Sequence, residues 1–174
     1  MNYRTARRAL LVIPALTVAG LAIATMPASA QPSAASISCS KLSVATDITP
    51  ALGAVASPIT AAGEGGTATC SGTVDDTIID SAVAGVFGLT ASSDSSSCDN
   101  VGGGAGHFTL DVTDTSGTHH AVEGDFTWQA GAQGAVSLSG GLSAVGGLRP
   151  ITGDCATTPL SRASFELANG SVNV

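Results

Sequence analysis

Charged and aromatic side chains are scarce in this chain of 174 residues. Only 11% of the residues are charged and only 3% are aromatic, whereas 44% are hydrophobic. So few charges beside so much apolar material exclude an intrinsically disordered acidic chain. Sparse charge and scattered glycine also exclude a coiled coil and a collagen. The composition therefore indicates a folded protein whose core is built mainly from aliphatic side chains.

Basic residues are few, and half of them lie near one end. The chain has six Lys and Arg residues against thirteen Asp and Glu residues. Three of the bases, Arg4, Arg7 and Arg8, precede all of the acids, so residues 31–174 carry three bases, thirteen acids and a net charge of −10. Such an acidic segment does not suit a protein that binds nucleic-acid phosphates. We therefore exclude nucleic acid as a partner.

Several motifs that carry chemistry are missing. The sequence contains no C-x-x-C pair, no G-x-S-x-G nucleophile elbow and no calcium loop of the D-x-D-x-D-G type. The glycines of residues 102–104 precede no helical pattern, so a dinucleotide-binding fingerprint is absent as well. We assign no catalytic residue, no cofactor and no metal ligand, and the sequence gives little support for an enzyme.

The first 30 residues have the three parts of a secretory signal peptide. A start with three arginines is followed by an apolar run over residues 9–24 and by a small-residue ending, Ala28-Ser29-Ala30. The alternative is an uncleaved membrane helix, but a span needs about 20 residues and the run is shorter. We predict cleavage after Ala30, export by the general secretory route rather than the twin-arginine route, an extracellular location and no stable membrane anchor.

All four cysteines lie beyond the predicted signal peptide. They are Cys39, Cys70, Cys98 and Cys155. An even number of cysteines in an exported chain favours disulfides. Small apolar side chains bury little area, so covalent closure adds stability that the core alone supplies poorly. We predict two disulfides within a single β-domain over residues 31–174.

The clearest structural pattern is a β-hairpin in the second half of the chain. Apolar and polar residues alternate in both arms, which places Leu110 and Val122 on the apolar face. A three-residue turn that ends at Gly117 fits between the arms, with glycine in the left-handed position. That turn pairs Asp114 with Thr118 and therefore Leu110 with Val122, so turn chemistry and periodicity agree.

The remaining patterns predict further short strands. Alternation indicates strands over residues 36–46, 67–74, 83–89, 135–139 and 161–174. Loops are predicted over residues 91–97, 102–104 and 148–153. Residues 51–62 are ambiguous between a short helix and a loop or irregular strand, and Pro50 and Pro58 favour the latter. About seven strands separated by turn signals predict an all-β fold, an antiparallel barrel or sandwich braced by disulfides.

The order of the strands constrains the disulfides. If seven strands run up and down in sequence, Cys39 and Cys155 fall at one end of the sheet. Cys70 and Cys98 then fall at the other end. A simple meander therefore predicts the pairs Cys39–Cys155 and Cys70–Cys98.

The cysteines, glycines and turns carry a family resemblance. The relevant segments are residues 69–74 (Thr-Cys-Ser-Gly-Thr-Val), Ser97-Cys98, the strand that ends in Val112, and residues 152–159 (Thr-Gly-Asp-Cys-Ala-Thr-Thr-Pro). Over most of residues 31–174 the chain resembles exported alanine- and glycine-rich β-proteins of high-GC Gram-positive bacteria. The resemblance implies export and a β-fold. It implies no chemistry, since that group has no established activity.

The histidines are candidate metal or proton-transfer groups. The hairpin register pairs His107 with Asp125 on the solvent face and places His119 opposite Thr113. An imidazole beside a carboxylate can bind a metal or move protons. On a solvent face, however, such a pair is more often a surface contact between strands, which is the interpretation we favour.

Aspartates cluster in two predicted turns. Asp75, Asp76 and Asp80 lie in one turn, and Asp94 and Asp99 lie in another. Calcium is bound by oxygen-rich loops, but the spacing here matches no calcium motif. We interpret these residues as solvated side chains that favour bends.

These patterns predict a secreted β-domain of unknown activity, a non-catalytic extracellular protein with a binding or structural role. Its partner would be another extracellular protein or a small apolar ligand. One alternative is a carrier with a barrel cavity, in which small inward residues make room for the ligand. The residues in question are Ala68, Gly72, Gly124 and Ala163. A second alternative is a hydrolase with an unrecognised site, whose histidines and carboxylates would converge in a cleft.

Overall fold

Strands account for most of the chain in this computed structural model, which describes residues 34–174. The nine strands are β1 (Ala35–Leu52), β2 (Ser57–Val74), β3 (Thr77–Ile78), β4 (Gly85–Ser96), β5 (Gly103–Thr113), β6 (His119–Ala130), β7 (Ala135–Gly140), β8 (Leu142–Thr152) and β9 (Leu160–Asn173). One turn of 3₁₀ helix, Ala132–Gly134, joins β6 to β7. Within residues 34–174, no helix has the length and apolar composition needed to cross a membrane. The predicted signal peptide, residues 1–30 with cleavage after Ala30, lies outside the described residues.

Eight of the strands close into an antiparallel ring. Its order is β1, β2, β4, β5, β6, β7, β8 and β9, and β9 pairs back with β1. The short β3 lies beside β2, and Ile79 after it bridges to Asp114 at the β5–β6 turn. Neighbours in such a ring alternate in direction, so a closed antiparallel ring needs an even number of strands. The all-β antiparallel fold is confirmed as a barrel, with eight strands in the ring rather than about seven.

The strand that the sequence does not reveal is β8. The loop predicted over residues 148–153 is wrong, because β8 continues to Thr152. Gly146 and Pro150 interrupt the apolar–polar alternation that would mark a strand. A Cβ at position 146 would overlap the backbone of Glu166 on β9, so glycine allows the two strands to lie close together.

Four other strands, β1, β2, β4 and β5, extend beyond their predicted bounds. β1 and β2 have 18 residues each, so the ambiguous segment over residues 51–62 is mostly strand. β4 continues through the serine-rich segment that was predicted as a loop, and the Ser96 hydroxyl at its end donates to the Val101 carbonyl at 2.5 Å. β5 begins at Gly103, so the loop predicted over residues 102–104 holds only for its first residue.

The β5–β6 hairpin has the predicted turn and register. Leu110 pairs with Val122, and the Asp114 N–H donates to the Thr118 carbonyl at 2.9 Å. Gly117 has a φ of +90°, the conformation for which the turn requires glycine. The local prediction is therefore confirmed residue by residue.

The interior of the barrel is filled along most of its length. Phe87, Phe108 and Leu110 are at most 1% exposed and belong to one continuous apolar cluster. The ring of Phe108 lies over Gly124, its direct partner on β6. The expectation that Gly124 leaves room for a ligand is therefore wrong, because an aromatic ring takes the space that the missing side chain provides.

Both disulfides form, but the predicted pairing is wrong. The bonds are Cys39–Cys70 and Cys98–Cys155. The error follows from the length of β2, which begins at Ser57 rather than near residue 67. Cys70 therefore lies towards the end of β2 and directly opposite Cys39 on β1. Two disulfides are typical of a protein that folds in an oxidising environment.

Candidate functional site

An apolar cavity of about 240 Å³ lies at one end of the barrel. This is the end at which β1, β4, β6 and β8 finish and at which the Cys98–Cys155 disulfide lies. Six of the side chains that form its walls are Ile48, Leu52, Ile59, Ala61, Trp128 and Phe165. The cavity is partly enclosed and opens between the loops at that end.

Small side chains on two neighbouring strands create this space. Ala61 on β2 and Ala91 on β4 are direct partners in the ladder, and both face inward and are buried. The inward positions that precede Ala91 in β4 are Leu89 and Phe87, and these larger side chains fill the middle of the barrel. Methyl groups at positions 61 and 91 thus leave a space that the larger side chains close elsewhere.

Trp128 forms the wall on the β6 side. It faces inward, is 5% exposed, and its indole N–H donates to the Ser92 carbonyl at 3.1 Å. The polar edge of the ring is therefore satisfied by the protein, and its apolar face is free to line the cavity. β6 lies four places from β1 in the ring of eight, so Trp128 stands across the cavity from Ile48 and Leu52.

No charged side chain lines the cavity among the residues that the structure describes. The two arginines nearest this end are used elsewhere on the outer surface. Arg149 Nε lies 2.7 Å from Glu166 Oε2, and Arg162 Nε lies 3.8 Å from Asp47 Oδ1. Within residues 34–174, we considered the buried side-chain nitrogen and oxygen atoms of residues that are not exposed. Each of these atoms has a hydrogen-bond partner. The walls therefore offer a ligand apolar contact and no counter-ion.

Two loops cover the opening of the cavity, and we call them the mouth loops. They are residues 97–102, between β4 and β5, and residues 153–159, between β8 and β9. Cys98 in the first loop is bonded to Cys155 in the second. Because β4 and β8 lie four places apart in the ring of eight, this disulfide joins two loops that come from opposite sides of the mouth.

Asp154 shapes the second mouth loop. Its Oδ1 accepts hydrogen bonds from the backbone N–H groups of Ala156, Thr157 and Thr158 at 3.0, 2.8 and 3.1 Å. These bonds favour the ionised carboxylate, with the Thr157 N–H contributing most, and they lower the pKa of Asp154 to about 2. The turn holds Cys155 in place. The φ of Cys155 is +64°, which shows how tightly the chain bends there.

A second concave surface of about 880 Å³ lies on the outside of the barrel and crosses β2, β4, β5, β6 and β7. We call it the outer groove. Thr90, His107 and Asp125 lie side by side in it on three adjacent strands, as direct ladder partners. His107 Nδ1 lies 3.0 Å from Asp125 Oδ1, and His107 Nε2 lies 3.7 Å from Glu123 Oε2. The predicted pairing of His107 with Asp125 is confirmed.

The backbone of the outer groove is fully engaged in the sheet. The Asp125 side chain is 92% exposed, so water weakens the electrostatic attraction between its carboxylate and the His107 ring. Strands β4, β5 and β6 each pair with a neighbour on both sides, so their ladders take up the backbone N–H groups that could form an oxyanion hole. The histidine and the carboxylates thus converge where the remaining candidate donors are side-chain hydroxyls such as that of Thr90.

The other two histidines pair with aspartates at the opposite end of the hairpin. His119 lies opposite Thr113 as predicted, and its Nδ1 is 2.8 Å from Asp111 Oδ1 on the outer face. His120 faces inward and its Nε2 lies 3.0 Å from Asp114 Oδ2. This inward pair was not predicted, although position 120 shares the parity of buried Val122.

Asp114 is the most strongly perturbed carboxyl group of the described chain. The His120 side chain, the Ser116 hydroxyl and the Thr118 N–H all donate to it. These bonds, with His120 contributing most, hold the pKa of Asp114 well below its usual range. Asp114 is 5% exposed and closes the β5–β6 turn. Its role is to fix the hairpin at the end of the barrel that lies away from the cavity.

The aspartates of the first cluster lie in the turns on either side of β3, but the second cluster is not in one turn, because Asp94 belongs to β4. Asp75 Oδ1 accepts from the Ala34 N–H and Asp80 Oδ1 accepts from the Ala82 N–H, both at 2.9 Å. Asp94 lies near the end of β4 and Asp99 lies in the first mouth loop, and both are exposed. Within residues 34–174, no group of three or more His, Cys, Asp or Glu side chains has a geometry suited to a metal ion.

The cavity is not where the sequence suggested. Neither Gly124 nor the other small inward residues of the carrier hypothesis, Ala68, Gly72 and Ala163, are among its lining residues. The signal that could have found it is the pair of alanines at positions 61 and 91, but position 61 lies in the segment left ambiguous and position 91 in a predicted loop. Without those strands, the inward direction of both side chains was not visible.

Comparisons with known proteins identify no relative. No protein-family model matches the chain, and no curated protein and no solved structure is significantly similar to it. The function must therefore be argued from the barrel and its cavity.

Proposed function

We propose that this protein is a non-catalytic extracellular binding protein that holds one small, neutral, apolar molecule in the cavity at the end of its barrel. The observation that carries the proposal is an apolar space of about 240 Å³ in a barrel that is otherwise filled by side chains. Well-packed interiors leave few voids larger than a water molecule, so a space of this size needs an explanation.

The volume limits the size of the ligand. An engineered apolar cavity of about 150 Å³ takes up benzene, and pockets for drug-sized molecules begin at about 300 Å³. A cavity of about 240 Å³ lies between them and suits a compact molecule of one or two rings. A long acyl chain is too large for it, because the side chains of the central core block any deeper extension.

The chemistry of the walls limits the charge of the ligand. A buried carboxylate without a partner is strongly destabilised, and the cavity walls provide no base. The chain from residue 31 onward is also acidic, with three bases against thirteen acids, so its field repels anions. We therefore expect a neutral ligand that is selected by shape and apolar contact.

The extracellular location rests on two features of the chain. The first 30 residues follow the pattern of a secretory signal peptide. All four cysteines form disulfides, which persist in oxidising compartments. A carrier outside the cell would keep an apolar molecule dispersed in water, where that molecule alone dissolves poorly.

Trp128 provides a direct test, because it is the only tryptophan in the chain. We expect naphthalene, a neutral two-ring probe, to change Trp128 fluorescence saturably with one molecule bound per chain. The matched anion 2-naphthoate should bind at least about tenfold more weakly, since its carboxylate would be buried without a partner. Equal binding of both probes, or no saturable change with naphthalene, would overturn the proposal.

Two neighbouring alanines locate the binding site. Ala61→Leu adds a larger side chain inside the cavity, and we expect it to weaken naphthalene binding by at least about tenfold. Ala62→Leu makes the same change one residue along β2, where the side chain is exposed in the outer groove, and binding should be unaffected. Loss of binding in Ala62→Leu alone would place the ligand in the outer groove and contradict the proposal.

A further inference from the structure

The two disulfides of the barrel differ in position and in exposure. Cys39 and Cys70 are 2% and 4% exposed and join neighbouring strands β1 and β2 inside the barrel. Cys98 and Cys155 are only half-buried and join the two mouth loops. An external thiol therefore reaches the Cys98–Cys155 bond more easily than the Cys39–Cys70 bond.

The Cys98–Cys155 bond is the tie between the second mouth loop and the opposite wall. Among the described residues, the backbone and Asp154 hydrogen bonds of residues 153–158 stay within the loop, and the polar contact that leaves it joins Cys155 Sγ to the Leu52 carbonyl oxygen at 4.0 Å. The first mouth loop has its own anchor, since the Cys98 N–H donates to the Gly53 carbonyl at 2.7 Å. Breaking the disulfide would thus free the second loop while the first stays attached to the barrel.

The strand ladder cannot replace this tie. β4 and β8 are on opposite sides of the ring, and neither hydrogen-bonds to the other. The Cys39–Cys70 pair is different, because the ladder between β1 and β2 continues on both sides of it. Reduction of Cys39–Cys70 would leave those strands paired, whereas reduction of Cys98–Cys155 would remove the covalent bridge across the mouth.

We propose that Cys98–Cys155 is a reversible redox site at which an external dithiol opens the cavity and releases its ligand. Release of a ligand presupposes the proposed function, whereas opening of the mouth does not. The chemistry is thiol–disulfide exchange. A thiolate of the dithiol attacks one Sγ and displaces the other cysteine as a thiolate, which takes up a proton. The second thiol of the reductant then resolves the mixed disulfide. Two electrons pass to the protein, so Cys98 and Cys155 become thiols and the dithiol becomes a disulfide.

The test uses acrylamide, a neutral quencher of tryptophan fluorescence, on the ligand-free protein. Dithiothreitol is added at a concentration that reduces one bond, and alkylation with peptide mapping identifies which one. We expect Cys98–Cys155 to be reduced first and the quenching of Trp128 by acrylamide to rise severalfold, because the mouth then opens more often. Unchanged quenching, or earlier reduction of Cys39–Cys70, would overturn the proposal.

Two double variants serve as controls. Cys98→Ser with Cys155→Ser should show high quenching without reductant, and Cys39→Ala with Cys70→Ala should match the oxidised wild type. If either variant fails to fold, the selectively reduced wild type still decides the question.

Naphthalene then tests release itself. Its dissociation from the selectively reduced protein should be faster by about an order of magnitude than from the oxidised protein. An unchanged dissociation rate would contradict redox release. If the oxidised protein does not bind naphthalene at all, the proposed function fails, while the quenching result still decides whether the mouth opens.

Discussion

Two glycines of the β5–β6 hairpin determine how its aromatic side chains pack. Gly106 is the direct partner of Phe126, and Gly124 is the direct partner of Phe108. Each phenyl ring lies in the space above the glycine opposite. A chain with few aromatic residues thus places two rings at successive inward positions of the hairpin without crowding.

A substitution at Gly106 tests this arrangement. The Cβ of Gly106→Ala would overlap the Phe126 ring and lie 2.5 Å from the Thr90 carbonyl oxygen. We expect the free energy of unfolding to fall by about 1–3 kcal/mol, as for other overpacked cores. Gly53→Ala is the control, because nothing lies within 4 Å of its Cβ.

Urea unfolding of the two variants measures the difference. The free energy of unfolding of Gly53→Ala should be unchanged or raised by up to about 1 kcal/mol, since alanine restricts the unfolded chain. If Gly106→Ala is as stable as Gly53→Ala, the aromatic ring does not depend on the glycine.

The inward direction of the His120 and Asp114 side chains could be predicted from the sequence. Both residues share the parity of buried neighbours, Val122 and Val112, so alternation alone predicts that both face inward. Asp114 also belongs to the predicted turn, which accounts for an aspartate at this position without reference to its parity. The inward pair could therefore be predicted from the sequence by considering the turn and the alternation together.

Among the elements, the β5–β6 hairpin could be predicted in its turn and register, and β8 could not be predicted. The hairpin carries its own register in a three-residue turn with Gly117, and every neighbour in the ladder follows from that turn. β8 carries no such signal, because Gly146 and Pro150 interrupt its apolar–polar alternation. Gly146 instead allows β8 to lie close to β9. Only the partner strand β9 explains why these residues are compatible with a strand.

The disulfide pairing depends on elements that are far apart in sequence. Cys39 meets Cys70 only because β1 and β2 extend well beyond their alternating segments. Cys98 meets Cys155 only because the ring places β4 opposite β8. Strand lengths and ring closure are properties of the whole barrel, so a local pattern could not establish either bond.

The second mouth loop should respond to acid through Asp154. Its folded pKa of about 2 lies below the value of about 3.9 for an unfolded aspartate. The carboxylate therefore stabilises the fold above pH of about 4, and this contribution is lost as the pH falls towards about 2. Asp154→Asn keeps a similar shape without the charge, so wild type should exceed it in stability at pH 5.

Urea unfolding at several pH values checks this expectation. The difference in stability between wild type and Asp154→Asn should shrink between pH of about 4 and about 2. Asp99→Asn, an exposed change in the first mouth loop, is the control for loss of one negative charge. A difference that stays constant over this range would contradict the role assigned to Asp154.

On the scale of the whole molecule, the closed ring of strands has a centre filled by apolar side chains and a cavity at one end. The sequence predicted the fold class, the two disulfides and a carrier as one alternative. It could not locate the cavity, because Ala61 and Ala91 become wall residues only when β2 and β4 are recognised as long, paired strands. The cavity is thus a consequence of ring closure rather than of any motif.

Xenon tests the central claim most directly, since it enters empty apolar cavities without needing polar contacts. The measurement is the crystal structure of the oxidised protein under xenon pressure. We predict a xenon atom in the cavity between Trp128 and Leu52, and no xenon at that position in Ala61→Leu. A cavity found closed by side chains, or xenon bound only in the outer groove, would contradict the account.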